Sequence, residues 1–101
     1  VQRYPSDTLF GLVEGLAGPG NAINVRFEAV KLLMQIPQAS RLLLERLNEM
    51  LREPDSTVRY LAISAMMVRY QIEARTVFPK RIAREEDESL RNLMRDFLKK
   101  D

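Results

Sequence analysis

A pattern of residue types recurs along this chain at a nearly constant interval. An acidic turn that opens into an apolar helix covers residues 53–66, and the same order of residue types returns once later and, in a degenerate form, once earlier. The Val/Leu-Arg pair at the start of each helix lies at 25–26, 58–59 and 90–91, in steps of 33 and 32 residues. A fixed period of this length is typical of stacked repeats. The chain is therefore predicted to consist of about three similar units.

Apolar residues at helical spacing predict six helices. Five of them are predicted at about 8–17, 22–36, 39–52, 56–72 and 87–99. In the remaining segment, 73–84, Pro79 removes a backbone donor, so we expect a kinked helix or a turn followed by a helix that starts at Pro79. The chain has no sustained polar/apolar alternation and no Asn-Gly or Asp-Gly turn, so the predicted fold class is all-α.

Two of the predicted helices carry matching apolar stripes that are expected to be buried. In the second helix the stripe consists of Val25, Ala29, Leu32, Leu33 and Ile36. In the fourth helix it consists of Val58, Ala62, Ala65 and Met66. The equivalent positions predict that the two helices hold equivalent places in their units.

Two segments between predicted helices begin with acidic residues and end with an aliphatic residue followed by Arg. Apolar residues follow each of them one and two turns further along the helix. The residues concerned are Glu53-Pro54-Asp55-Ser56-Thr57-Val58-Arg59 with Ala62 and Met66, and Glu85-Glu86-Asp87-Glu88-Ser89-Leu90-Arg91 with Met94 and Leu98. Both resemble the inter-helix turn and second-helix opening of the HEAT repeat family. The first unit departs from the pattern, because Gly20-Asn21 replaces the acidic turn. Ankyrin and tetratricopeptide repeats have similar periods, but the chain lacks the Thr-Pro-Leu-His turn of the former and the third helix lacks the Gly and Tyr of the latter.

The resemblance implies a right-handed α-α superhelix, a short solenoid of about three helix-turn-helix repeats. These repeats are expected at about 6–37, 38–71 and 72–101, within a single domain that covers the chain. Because the chain does not begin with Met, we expect it to be a fragment of a longer protein. HEAT-like arrays act as binding surfaces, so the implied function is that of a protein-interaction scaffold or adaptor.

Composition excludes several kinds of chemistry. The chain has no Cys and no His, which rules out thiolate or imidazole zinc sites and histidine acid–base catalysis. It also lacks a Gly-rich phosphate loop and a nucleophile elbow, so we expect neither an enzyme nor a metal or cofactor site. No apolar run approaches the ~20 residues of a membrane span. The compartment is not determined, although a cytoplasmic location is favoured.

The recurring Asp and Arg predict a structural ladder. Asp55 and Asp87 each precede a helix by the spacing of an N-cap, and Arg59 and Arg91 follow them by four residues. We expect each carboxylate to accept from free backbone N–H groups and each guanidinium to reach an acid of the adjacent unit. Arg26 is the equivalent residue of the first unit. The alternative is an arginine row, Arg26, Arg59 and Arg91, that binds phosphates.

A second set of residues predicts a partner-binding strip on the second and fourth helices. These residues lie away from the apolar stripe and include aromatic and methionine side chains, which are enriched at interfaces. They are Phe27, Lys31, Met34, Tyr60, Ser64 and Met67. The expected partner is another protein or a peptide. The alternative is that this face packs inside the fold.

Two other partners remain open at this point. Basic residues cluster at Arg75, Lys80, Arg81 and Arg84, which would suit nucleic acid, but interleaved acids favour a mixed surface. The formal net charge of +2 is also too small for the one-sided field of most nucleic-acid binders. The apolar first helix suggests that the amino-terminal end of the array could self-associate.

Overall fold

The structure is a computed structural model of the 101-residue chain. It describes the backbone of residues 6–37 and 40–100 and the side chains of residues 11–37 and 40–100. Six helices cover most of these residues, and no described residue lies in a β-strand. The helices are α1 (Ser6–Leu16), α2 (Ile23–Met34), α3 (Ser40–Met50), α4 (Ser56–Arg69), α5 (Gln71–Ile82) and α6 (Glu88–Lys99). The predicted all-α class is confirmed.

The chain divides into two compact units, Val1–Glu49 and Met50–Asp101. In the first unit α1 packs against α2, and Arg46 on α3 donates through Nε to Glu14 of α1 at 2.9 Å. The buried apolar residues of this unit are small or aliphatic: Ala17, Ala29, Val30, Leu33, Leu43 and Leu47. The first unit therefore has a core without an aromatic ring among the described residues.

The buried stripe of α2 differs from the predicted one. Ala29 and Leu33 are buried as predicted, but Val25 is 37% and Leu32 51% exposed, and Arg26 and Val30 are buried instead. Apolar residues surround most of α2, so periodicity alone does not select one face. The hydrogen bond from Arg26 to a carbonyl of the α1–α2 loop fixes the face that turns inward. Val25 is therefore not equivalent in burial to its counterparts Val58 and Leu90, which are almost fully buried.

The loop between α1 and α2 depends on a glycine and an asparagine. Gly20 has a φ of 93°, a left-handed conformation that side chains other than glycine rarely adopt. The Asn21 amide donates to the carbonyl oxygens of Gly15 at 3.0 Å and Gly18 at 3.2 Å. Asn21 thus satisfies carbonyls at the end of α1, while Ala22 occupies the N-cap of α2 without a side-chain bond.

The second unit is built from α4, α5 and α6, each of which contacts the other two. Val58, Ala62, Ala65 and Met66 are buried on α4, as the stripe predicts. Phe78 of α5 meets Phe97 of α6 edge to face, with ring centroids 5.4 Å apart. Offset and edge-to-face aromatic pairs stabilise a core beyond the apolar area that they bury.

Helix α5 runs through Pro79 without a break, so the expected turn and restart at this residue is wrong. Pro79 is exposed and lies close to the end of α5. The backbone N–H that it lacks would make only one helical hydrogen bond. Ala74 and Phe78, one turn apart just before it, are fully buried and hold this part of α5 against the core of the second unit.

Candidate binding surfaces

Asp55 and Asp87 cap the helices that follow their turns. The Asp55 carboxylate accepts from the backbone N–H of Thr57 at 2.8 Å, and Asp87 accepts from that of Leu90 at 3.1 Å. These bonds satisfy donors that a helix start leaves unpaired. Both aspartates make the N-cap contact that their position predicts.

Arg59 and Glu85 form a buried ion pair within the second unit. The Arg59 Nη2 atom lies 2.9 Å from Glu85 Oε2, and Nε lies 3.0 Å from Oε1. The Glu85 side chain is fully buried, and it also accepts from the backbone N–H of Asp87 at 2.9 Å. The pair joins the first turns of α4 to the turn before α6. The sequence pattern predicts that Arg59 reaches an acid of the next unit, but it does not identify Glu85 as that acid.

Arg59 and Arg91 each hold the turn that precedes them through backbone carbonyls. Nη1 of Arg59 donates to the carbonyl oxygens of Glu53 and Pro54 at 2.8 and 2.7 Å. Nη1 of Arg91 donates to the carbonyl oxygens at the same two offsets, six and five residues earlier, at 2.7 and 3.1 Å. The sequence does not reveal these bonds, although the equal length of the two turns is a signal that they are built alike.

Arg26 makes a different contact. Its Nε donates to the carbonyl oxygen of Ala17, nine residues earlier, at 2.8 Å, and the side chain is buried. The glycine-containing loop of the first unit is longer than the acidic turns, so the arginine reaches further back along the chain. Only the second and third copies therefore share the arginine bonds to carbonyls five and six residues earlier.

The predicted strip on α2 is exposed at its aromatic residue. Phe27 is 45% exposed, and Lys31 Nζ lies 5.5 Å from the centroid of its ring. Lys31 is also 3.6 Å from the carboxylate of Glu28, and Met34 is half-buried. Phe27 thus lies at the surface of the first unit beside a cation, rather than in its core.

The predicted strip on α4 belongs to the second unit. Tyr60 is 51% exposed and Met67 is half-buried. The Ser64 hydroxyl donates to the carbonyl oxygen of Tyr60 at 2.8 Å, so this donor is already used within the helix. Tyr60 is therefore the part of this strip that a partner can reach.

The first unit exposes further apolar side chains that sequence reasoning placed elsewhere or did not name. Besides Phe27, the exposed large apolar residues of this unit are Leu12, Leu16, Ile23, Val25, Leu32 and Leu42. Ile23 lies one helical turn before Phe27 on α2. The sequence indicates this surface, because α2 is apolar on most of its sides and a single buried stripe covers only one of them.

An open cleft of about 240 Å³ lies in the second unit and is lined mainly by arginine. Its lining residues are Arg52, Glu53, Pro54, Arg59, Arg81, Arg84 and Glu86. They come from the turn before α4, the start of α4, the end of α5 and the turn before α6. Arg81 and Arg84 belong to one basic cluster of the sequence, whereas Arg52 and Arg59 lie far from it along the chain.

The other members of the predicted basic cluster lie outside this cleft. Arg75 donates to the carbonyl oxygen of Lys100 and lies over the ring of Phe97, 5.4 Å from its centroid. Lys80 is exposed and does not line the cleft. The basic cluster is therefore divided between at least two places.

Within the described part of the chain, no group of three or more acidic side chains could hold a metal ion. No helix among the described residues is long and apolar enough to cross a membrane. Comparisons of the chain with protein-family models, curated proteins and solved structures found no match. The resemblance to HEAT repeats therefore stays a prediction.

Proposed function

We propose that this chain is a scaffold module of HEAT-like helical repeats that binds an amphipathic peptide segment of another protein, with no catalysis of its own. The observation that carries the proposal is the row on α2, where exposed Ile23 and Phe27 lie one turn apart and Lys31 lies over the Phe27 ring. Such a row offers apolar contact area, with the exposed Lys31–Glu28 ion pair at its edge.

Energetics favour an interface at Phe27. Aromatic residues are enriched in the cores of interfaces, and the 45% of Phe27 that is exposed remains available for contact. Ile23, one turn before Phe27 on the same face of α2, extends the surface that a partner could cover. A segment with apolar anchors and an acidic residue opposite Lys31 would complement this row.

The repeat architecture is part of the proposal. Its support is the pair of turns before α4 and α6: in each an aspartate caps the helix, and an arginine donates to the carbonyls five and six residues earlier. Stacked repeats are expected to have similar turns between their helices. Under this proposal the helix-turn-helix repeats form a right-handed α-α superhelix.

The experiment is selection of peptides from a displayed library on the purified chain, followed by fluorescence anisotropy with the selected peptide. We expect apolar peptides with an acidic residue, and Phe27→Ala should weaken their binding about tenfold or more, as loss of an interface hot spot does. Ile72→Ala, which removes an exposed apolar side chain from the second unit, is the matched control and should leave binding unchanged.

The outcomes separate the possible occupants of the row. Equal binding by the Phe27→Ala variant and the original chain would contradict the proposal. If light scattering instead shows that the chain forms a dimer that Phe27→Ala dissociates, the occupant is a second copy. A Tyr60→Ala variant tests whether the strip on α4 contributes to the same peptide.

Contact with nucleic acid is the second candidate. It is favoured by the arginines that line the cleft of the second unit, but Glu53 and Glu86 lie beside them and Arg75 is engaged elsewhere. Titration of a labelled duplex at low and moderate salt tests this candidate, because phosphate-backbone binding weakens steeply with salt. Absence of binding at low salt would remove it.

A further inference from the structure

The arginine-lined cleft of the second unit has a fixed wall. Arg59 donates to both carboxylate oxygens of Glu85 and to the carbonyl oxygens of Glu53 and Pro54. These bonds hold its guanidinium in one position and neutralise its charge. Arg59 therefore shapes the cleft, while ligand binding falls to the other arginines.

Arg81, which lines this cleft, has a donor that no described residue uses. Its Nε is buried, and no acceptor among the residues that the structure describes lies within hydrogen-bond distance of it. Its Nη2 lies 3.4 Å from the carbonyl oxygen of Arg84, which is a long contact. Buried polar groups almost always have a partner, and leaving one unpaired destabilises the fold.

Arg52 and Arg84 add two further cations that the described part of the chain does not pair. Neither guanidinium has a hydrogen bond or an ion pair with a described residue. Three arginines with unused donors thus line one cleft, opposite two carboxylates, Glu53 and Glu86. The Arg59–Glu85 pair contributes no net charge, so the cleft keeps an excess of one positive charge.

Chemistry and size indicate which ligand suits these arginines. Guanidinium groups match the oxygens of phosphate with paired hydrogen bonds. The volume of about 240 Å³ is smaller than the ~300 Å³ at which pockets begin to enclose whole small molecules. It suits a single charged group that enters from solvent. Because electrostatic attraction grows with ligand charge, a dianion gains more here than the singly charged diester of a nucleic-acid backbone.

We propose that the cleft between Arg52, Arg81 and Arg84 binds the dianionic phosphate of a phosphate monoester. The site lies wholly in the second unit and is independent of the peptide-binding row on α2. The guanidinium groups of Arg52, Arg81 and Arg84 donate to the oxygens of this phosphate.

Calorimetric titration with phosphoserine, inorganic phosphate and a single-stranded oligonucleotide tests the proposal. We expect saturable binding of phosphoserine, a shift of the Arg81 Nε–H resonance in NMR spectra, and at least about tenfold weaker binding by Arg81→Gln and Arg84→Gln. Lys80→Gln is the matched control, because it removes the same charge one residue from Arg81 but outside the cleft. It should change the affinity less than about twofold.

The ligands distinguish the sources of the phosphate. Equal affinity for inorganic phosphate and phosphoserine would support the site and assign free phosphate as its ligand. Tighter binding of the oligonucleotide than of both would overturn it in favour of a backbone-binding surface. Absence of saturable binding of either phosphate up to about 10 mM, or equal losses in Lys80→Gln and Arg84→Gln, would also overturn it. Because Arg84 is exposed, its variant keeps the test valid if Arg81→Gln fails to fold.

Discussion

Arg59 and Glu85, 26 residues apart, form a two-pronged ion pair in the interior of the second unit. Glu85 is fully buried and also accepts from the backbone N–H of Asp87, while Arg59 also donates to the turn before its own helix. Two inter-helix turns are thereby tied to each other through one pair of side chains. The pair links the phosphate-binding cleft to the framework of the unit, because Arg59 forms part of its wall.

Glu85→Gln should destabilise the protein strongly. The substitution removes the negative charge and leaves the Arg59 guanidinium buried without its counter-ion, and breaking a buried pair in this way costs about 3–5 kcal/mol. The free energy of unfolding from urea titration, followed by circular dichroism, measures the effect. Glu86→Gln is the control. Because Glu86 is exposed, this substitution should change the free energy of unfolding by no more than about 0.5 kcal/mol. Similar losses of unfolding free energy in the two variants would show that the Arg59–Glu85 pair contributes no more to stability than a charge at the surface.

The cap of α6 should depend on the side-chain oxygen of Asp87 rather than on its charge. Asp87→Ala removes the acceptor of the Leu90 N–H and should cost about 1 kcal/mol of unfolding free energy. Asp87→Asn keeps an oxygen at the same position and should cost less, because Asn is also a favoured N-cap residue. Urea titrations of both variants provide the comparison. An equal loss in the two would instead assign the effect to charge.

Phe27→Ala should leave the first unit folded. Phe27 is 45% exposed, whereas Leu33 on the same helix is fully buried. Leu33→Ala is therefore expected to cost about 2–5 kcal/mol, and Phe27→Ala distinctly less. Melting temperatures from circular dichroism test the contrast. A drop for Phe27→Ala as large as that for Leu33→Ala would place the ring in the core and weaken the proposed peptide-binding role.

The second unit could be predicted from its sequence more fully than the first. On α4 the predicted stripe, which includes Val58, Ala62 and Met66, is buried, although apolar residues lie on the other sides of this helix too. On α2 apolar residues lie on most sides, and the inward face is chosen by a hydrogen bond from Arg26 to Ala17 that no periodicity reveals. Local pattern predicts a helix well, but its rotation depends on long-range contacts.

The candidate sites show the same division. The caps at Asp55 and Asp87 follow from residue type and position and were predictable. The cleft brings together Arg52 and Arg81, which are 29 residues apart, so only the packing of the second unit reveals that they share a surface. At Pro79 the sequence leaves a kinked helix and a restarted helix both open, and the structure shows one helix, Gln71–Ile82, that contains the proline.

Glycine substitutions should act in opposite directions in α1 and in the loop that follows. Gly11 lies inside a helix, and a Cβ added there would meet no atom within 4 Å. Gly11→Ala should therefore stabilise the protein by about 0.5–1 kcal/mol, through the higher helix propensity of alanine.

Gly20 also has open space around it, but its φ of 93° is strained for any residue with a Cβ. Gly20→Ala should consequently destabilise the protein by about 1 kcal/mol or more. Because neither alanine would meet a neighbouring atom, backbone conformation alone separates the two variants. Melting curves of both, compared with the original chain, test this contrast. A destabilised Gly11→Ala would mean that the surface at Gly11 is covered in solution, as self-association of the chain through α1 would require.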